Sequence, residues 1–114
     1  LRGRVHQVVT AVSALDIASG KQTTRASQAD VTMRLYSNEE MDAYIATCDP
    51  FDKAGGYAIQ NTLFAPVASW QGSYTTIMGL PLEELPALLG EFGQAIDPAL
   101  LALALRNAET QGGR

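Results

Sequence analysis

Asp49-Pro50-Phe51-Asp52-Lys53-Ala54-Gly55-Gly56-Tyr57-Ala58-Ile59-Gln60 brings two glycines, a tyrosine, an amide, two neighbouring carboxylates and an ammonium into one short stretch. Lys53 is the sole basic residue between Arg34 and Arg106. A lone cation beside a Gly-Gly step suits an anion, because glycines let backbone N–H groups approach a ligand with no Cβ in the way. Lys53 acts as a point charge there, and Asp49 and Asp52 are able to hold a divalent ion or activate water. On composition alone the same stretch is also an ordinary Pro/Gly loop with surface charges. The residues by themselves leave both readings open.

Upstream of this loop the pattern is strand, turn, strand, helix. Val5 to Leu15 is rich in Val and Ala on both alternating faces, which predicts a strand covered on both sides. His6 and Gln7 start it, and a lone histidine there reads as structural or solvated. Asp16 to Thr24 contains Ser19-Gly20 and predicts a turn. A second strand is expected over about Thr23 to Tyr36, with Val31, Met33 and Leu35 alternating against Thr32, Arg34 and Tyr36, so the two make a long hairpin. Ser37 followed by Glu40 is a capping box, and Met41, Tyr44 and Ile45 then bury one helix face. Asp49-Pro50 stops that helix. No base neighbours Cys48 in sequence, so it reads as a buried thiol and not as a nucleophile.

Downstream, Ala65 to Trp70 and Ser73 to Met78 read as strands joined by a tight Gln71-Gly72 turn. Trp70 and Tyr74 read as core or interface aromatics. Pro81 suits a first helical turn, Leu82, Leu85, Leu88, Leu89 and Phe92 form an apolar stripe, and Pro86 should interrupt or kink that helix. Asp97-Pro98 starts a further helix, apolar nearly all round, that wants a partner. Gln111 to Arg114 is expected to fray. The organisation expected is one unit over residues 1–96 and a helical tail over 97–114.

At 114 residues and 46% apolar composition the chain makes one soluble globular domain at most. A net charge of −4 argues against a nucleic-acid groove. No run approaches a membrane span. The single cysteine excludes an internal disulfide and favours a reducing cytoplasm. There is no internal repeat, Cys/His metal cluster, Gly-x-Gly-x-x-Gly or Walker loop.

Asp52-Lys53-Ala54-Gly55-Gly56-Tyr57-Ala58-Ile59-Gln60 resembles the signature loop of the Maf family of nucleoside triphosphate pyrophosphatases. Gly3-Arg4-Val5-His6-Gln7-Val8-Val9-Thr10-Ala11-Val12 is similar to that family's strand after the central helix. Gly72-Ser73-Tyr74-Thr75-Thr76-Ile77-Met78-Gly79-Leu80-Pro81-Leu82 is similar to its closing segment. The three blocks come in the family's order and cover roughly residues 3 to 92. The Lys-Ala-Gly-x-Tyr-x-Ile-Gln form resembles the branch cleaving dTTP and UTP, not the branch acting on 7-methyl-GTP. Three positions depart from the pattern: Cys48 and Asn61 stand where the family usually has glycine, and Asp49 where it has glutamate.

The resemblance implies an α/β fold: a mixed, largely antiparallel twisted sheet flanked by helices, represented here by its C-terminal half. The Ser-x-x-Arg phosphate loop and the Asp-Thr motif of the family do not occur in these residues, and the resemblance places both in a preceding half. The implied reaction is hydrolysis between the α and β phosphates, giving monophosphate and pyrophosphate. Lys53 is then the phosphate ligand, Asp52 the metal or water partner, Gln60 the base reader and Asp49 a weaker metal ligand, with Mg²⁺ as the implied cofactor. A triphosphate needs several cations, and Lys53 flanked by two acids is one, so the isolated chain is expected to be inactive. Unpaired sheet edges lead to an expected homodimer. The rival reading is a non-catalytic interaction module assembling through its sheet edge and leucine-rich tail.

Overall fold

The computed structural model describes residues 1–112. The sheet has three antiparallel strands in the order β1-β2-β3: β1 is Val5–Leu15, β2 is Gln22–Met33 and β3 is Val67–Gln71. The helices are α1 (Asn38–Ala46), α2 (Tyr74–Met78), α3 (Leu85–Gly90) and α4 (Pro98–Gly112). This is the expected α/β arrangement of an antiparallel sheet with flanking helices.

The long hairpin forms as its sequence predicts, with β1 and β2 in unbroken register from Val5 opposite Thr32 to Leu15 opposite Gln22. Its turn is closed locally, since the Asp16 carboxylate accepts from the Ala18 N–H and the Ser19 hydroxyl. Residues directly opposite share a face. His6, Val8 and Thr10 therefore lie with Val31, Ala29 and Ser27, and α2 and α3 pack on these two strands. Val31, Met33, Tyr44 and Tyr57 are the centre of the core.

The other face of β1 is not covered by the described residues: Val5 is 63%, Val9 62% and Leu15 61% exposed. The expectation of a strand buried on both sides is corrected here. The apolar content on both faces was read correctly, but the chain lays helices on one. β2 also ends earlier than expected, at Met33, where a bulge between Thr32 and Met33 breaks the ladder to β3. Leu35 falls beyond it and is 83% exposed.

The capping box at Ser37 and Glu40 is present with both bonds, the Glu40 carboxylate accepting from the Ser37 N–H at 2.7 Å and the Ser37 hydroxyl from the Glu40 N–H at 3.1 Å. Of the face expected to be buried, Tyr44 is in the core, stacked on Phe64 at 4.4 Å, whereas Ile45 is 44% exposed. Arg34 anchors the segment before β3 by donating to the carbonyls of Ala65 and Phe64.

Ser73 to Met78 is not a strand and Gln71-Gly72 is not a hairpin turn. Ser73 caps α2 by accepting from the Thr76 N–H, and Gly79, at φ 116°, terminates it. The β-branched and aromatic residues that suggested a strand are buried by packing on β1 and β2 instead: the Thr10 hydroxyl donates to the Thr76 carbonyl at 2.7 Å, and Thr76 is wholly buried. Tertiary contact overrides β propensity here. The segment around Pro86 is interrupted as expected, a 3₁₀ turn over Leu82–Glu84 giving way to α3 with Pro86 in its first turn. Asp97 caps α4 through the Ala99 N–H, and α4 packs against α2. α4 runs to Gly112, into the segment expected to fray. Gly113 and Arg114 of that segment lie outside the described residues.

Candidate functional site

The loop from Asp49 to Gln60 is two 3₁₀ turns, Asp49–Asp52 and Ala54–Gly56, followed by extended backbone at Tyr57. Its entrance is set by Cys48, which adopts φ 64°, the left-handed conformation that glycine takes without strain. α1 thus stops at Ala46, before the proline that was expected to end it. Pro50 instead sits in the first turn of the following 3₁₀ segment. Cys48 is exposed, which corrects the expectation of a buried thiol. Gly55 and Gly56 take φ of 71° and 72°, so the Gly-Gly step is a backbone requirement.

A cleft of about 440 Å³ opens between this loop and the start of β1, lined on the loop side by Asp52, Lys53, Tyr57 and Gln60 and on the β1 side by His6 and Thr10. The end of α2, at Met78 and Gly79, closes one flank. Three of the four sequence-predicted residues, Asp52, Lys53 and Gln60, therefore share one cavity. Asp49 stands behind them. Its carboxylate is held by the Tyr44 hydroxyl on one oxygen and by Lys53 on the other, at 3.0 Å.

Lys53 is the organising charge. Its ammonium donates to the Asp49 carbonyl, to the Asp49 carboxylate and to the Asp52 carboxylate, each at 3.0 Å. These bonds raise its pKa above the ordinary lysine value, the Asp49 contact contributing most. The Asp49 carboxyl is correspondingly lowered, first by the Tyr44 hydroxyl and then by Lys53. The Tyr44 phenol is pushed up to about 12, chiefly by burial and then by Asp49. At neutral pH Tyr44 is neutral, Asp49 ionised and Lys53 charged.

Whether these residues suit a divalent cation can be judged from their donors. Among the described residues no three His, Cys, Asp or Glu side chains gather in one place. Both Asp49 oxygens are engaged, so that residue fits a metal only by giving up two hydrogen bonds. Asp52 is 84% exposed and uses one oxygen on Lys53. It fits as a single carboxylate ligand, an arrangement Mg²⁺ accepts when phosphate oxygens and water complete the shell.

The wall formed by His6, Thr10 and Tyr57 was missed as part of a site. His6 Nε2 lies 2.8 Å from the Tyr57 hydroxyl, and the two rings meet edge to face at 5.5 Å. The signal was available in the alternation of β1, which puts His6, Val8 and Thr10 on the same face. What was lacking was the knowledge that this face turns toward the loop.

A family model described as Maf-like protein matches residues 1–92. The chain is 45% identical over 91 residues to a dTTP/UTP pyrophosphatase of Chromobacterium violaceum, covering 80% of this chain and 45% of that protein. It is 41% identical over 96 residues to a protein of the same name from Dictyoglomus turgidum, covering 84% and 50%. A third, from Saccharophagus degradans, is 47% identical over 92 residues, covering 81% and 43%. The chain spans about half the length of the curated relatives it matches.

Proposed function

Because the chain belongs to the Maf-like protein family, we propose that the cleft between the loop Asp49–Gln60 and β1 is one wall of a nucleoside triphosphate pyrophosphatase site. The single observation carrying this reading is the meeting of Lys53, Asp52 and Gln60 in one cavity. The relatives' shared description as dTTP/UTP pyrophosphatases supports the substrate class. The reaction is attack of water on the α–β phosphoanhydride, with monophosphate and pyrophosphate leaving.

Each residue has a role in this reading. Lys53 exchanges its contact with Asp52 for a phosphate oxygen, a swap between two charge-assisted bonds of similar strength. Gln60 is exposed at the end of the loop, and its amide offers a donor and an acceptor to a pyrimidine edge. Asp52 is the carboxylate for Mg²⁺ or for orienting water. Asp49 acts from behind, holding Lys53 in place. A divalent ion, when bound, supplies charge neutralisation that this wall lacks, since Lys53 is the one Lys or Arg among the cleft's lining residues.

A triphosphate needs more positive charge than one lysine, so the 114 residues alone turn over slowly or not at all. Cations from outside them complete the site. The test is pyrophosphate release from dTTP, UTP, CTP, ATP and GTP by the full-length polypeptide carrying these residues, with Mg²⁺ present. Preferential cleavage of dTTP and UTP supports the reading, and no release from any nucleotide overturns it. We further propose a homodimer and a cytoplasmic setting. β1 and β3 are edge strands, and Val5, Val9, Leu100 and Leu103 offer exposed apolar surface for a second copy. Sedimentation as a monomer across the micromolar range removes the dimer.

A further inference from the structure

We propose that His6 is a positioning residue for the cleft, acting through Tyr57 on the loop that carries Lys53 and Gln60. Among the described residues, the His6–Tyr57 bond is the one side-chain hydrogen bond that ties β1 to the loop Asp49–Gln60. It joins positions 51 apart in sequence. Tyr57 lies four residues after Lys53 and three before Gln60, so a fixed Tyr57 ring sets the path of the chain to both. The ring also underlies the glycine step, since a Cβ on Gly55 would stand 3.3 Å from the Tyr57 Cε1.

The histidine is an unusual choice for packing alone. Among the described residues its buried Nδ1 has no hydrogen-bond partner, a cost that an aliphatic side chain at the same strand position would not carry. What histidine offers in return is one directional bond, Nε2 to the Tyr57 hydroxyl. Burial lowers the imidazole pKa, so the neutral ring faces the tyrosine at pH 7. Packing alone would let the tyrosine ring slide along β1. The hydrogen bond and the edge-to-face contact at 89° together fix both its depth and its tilt.

The kinetic consequence rests on the pyrophosphatase reading, but the structural one does not. The test compares His6→Ala, His6→Gln, Tyr57→Phe and the double variant His6→Ala/Tyr57→Phe in the full-length polypeptide. Amide hydrogen exchange at Gly55, Gly56 and Tyr57 is expected to quicken by up to about tenfold in His6→Ala and in Tyr57→Phe, the worth of one hydrogen bond. The double variant should be no worse than either single one. His6→Gln, which keeps a polar group able to reach the hydroxyl, should restore much of the protection. With dTTP as the probe, KM should rise about tenfold in the two single variants with kcat changed less, because phosphate and base contacts are misplaced together. Loop exchange unchanged in Tyr57→Phe overturns the proposal, as do fully additive effects in the double variant. If His6→Ala does not fold, His6→Gln and Tyr57→Phe carry the same comparison. Should the wild type cleave no nucleotide, the function fails while the exchange result still decides the role of His6.

Discussion

The ammonium of Lys53 lies 3.0 Å from the carboxylate of Asp49, four residues earlier in the chain, and Asp49 is held in turn by the hydroxyl of Tyr44. The cation aimed at the cleft is therefore fastened to α1 through two side chains. Asp52, the other acid on Lys53, faces solvent and is the contact a phosphate can replace.

Removing the charge should show this directly. Lys53→Ala in the full-length polypeptide is expected to lower kcat/KM for dTTP by about 100-fold, the scale seen when one preorganised charge donor is lost. Lys53→Arg should recover only part, since a planar fork does not fit a point-charge site. Steady-state pyrophosphate release measures both. An unchanged rate in Lys53→Ala takes the lysine out of the site.

Alkaline stability should depend on Tyr44. Its phenol has a folded pKa raised from 10.0 to about 12, so the folded state favours the protonated form. The stability this contributes is fully present below pH 10 and is lost as pH rises through about 12. Denaturant melts between these values should show a decline in the wild type that flattens in Tyr44→Phe. Equal slopes for the two proteins would show that Tyr44 titrates elsewhere.

Cys48 occupies a backbone conformation that an L side chain adopts at a cost. At φ 64° a glycine avoids about 1–2 kcal/mol of steric strain and loses about 0.5–1 kcal/mol to unfolded-chain entropy. Cys48→Gly should therefore stabilise the fold by roughly 0.5–1 kcal/mol in urea melts. The wild-type thiol should also react with an aromatic disulfide reagent without unfolding, since it is exposed. A thiol silent until denaturation contradicts the exposure.

Gly72 is constrained in the opposite sense. It sits at φ 106°, and a Cβ there would lie 3.1 Å from the Ala29 Cα, the Ala29 Cβ and the Gln28 carbonyl oxygen. Those atoms belong to β2 and have little room to move. Gly72→Ala is expected to cost about 2 kcal/mol, combining strain with the close approach. A midpoint in urea within error of the wild type would show that the segment between β3 and α2 relaxes freely.

Much of the architecture is readable from short-range pattern. The paired strands β1 and β2, the turn that follows Asp16 and the Ser37–Glu40 capping box all hold, because each depends on residues close in sequence. Ser73 to Met78 was misread for the same reason seen in reverse. Its β-branched residues favour a strand locally, yet the Ser73 cap and the burial of Thr76 against Thr10 make it helical. Asp52, Lys53 and Gln60 are legible as neighbours in one cleft because they crowd into one loop. His6 was not, because its partner is 51 positions away.

The sequence by itself determined the loop's chemistry: one ammonium, two acids, a glycine step and an amide in fixed spacing, since charge and backbone freedom belong to residues wherever they fold. Only the tertiary structure decided what that loop faces. The turn of β1 that presents His6 and Thr10 to the cleft, the retirement of Asp49 behind Lys53 and the exposure of Cys48 all follow from packing between distant segments. No local pattern encodes a contact whose energy appears only when both segments are in place.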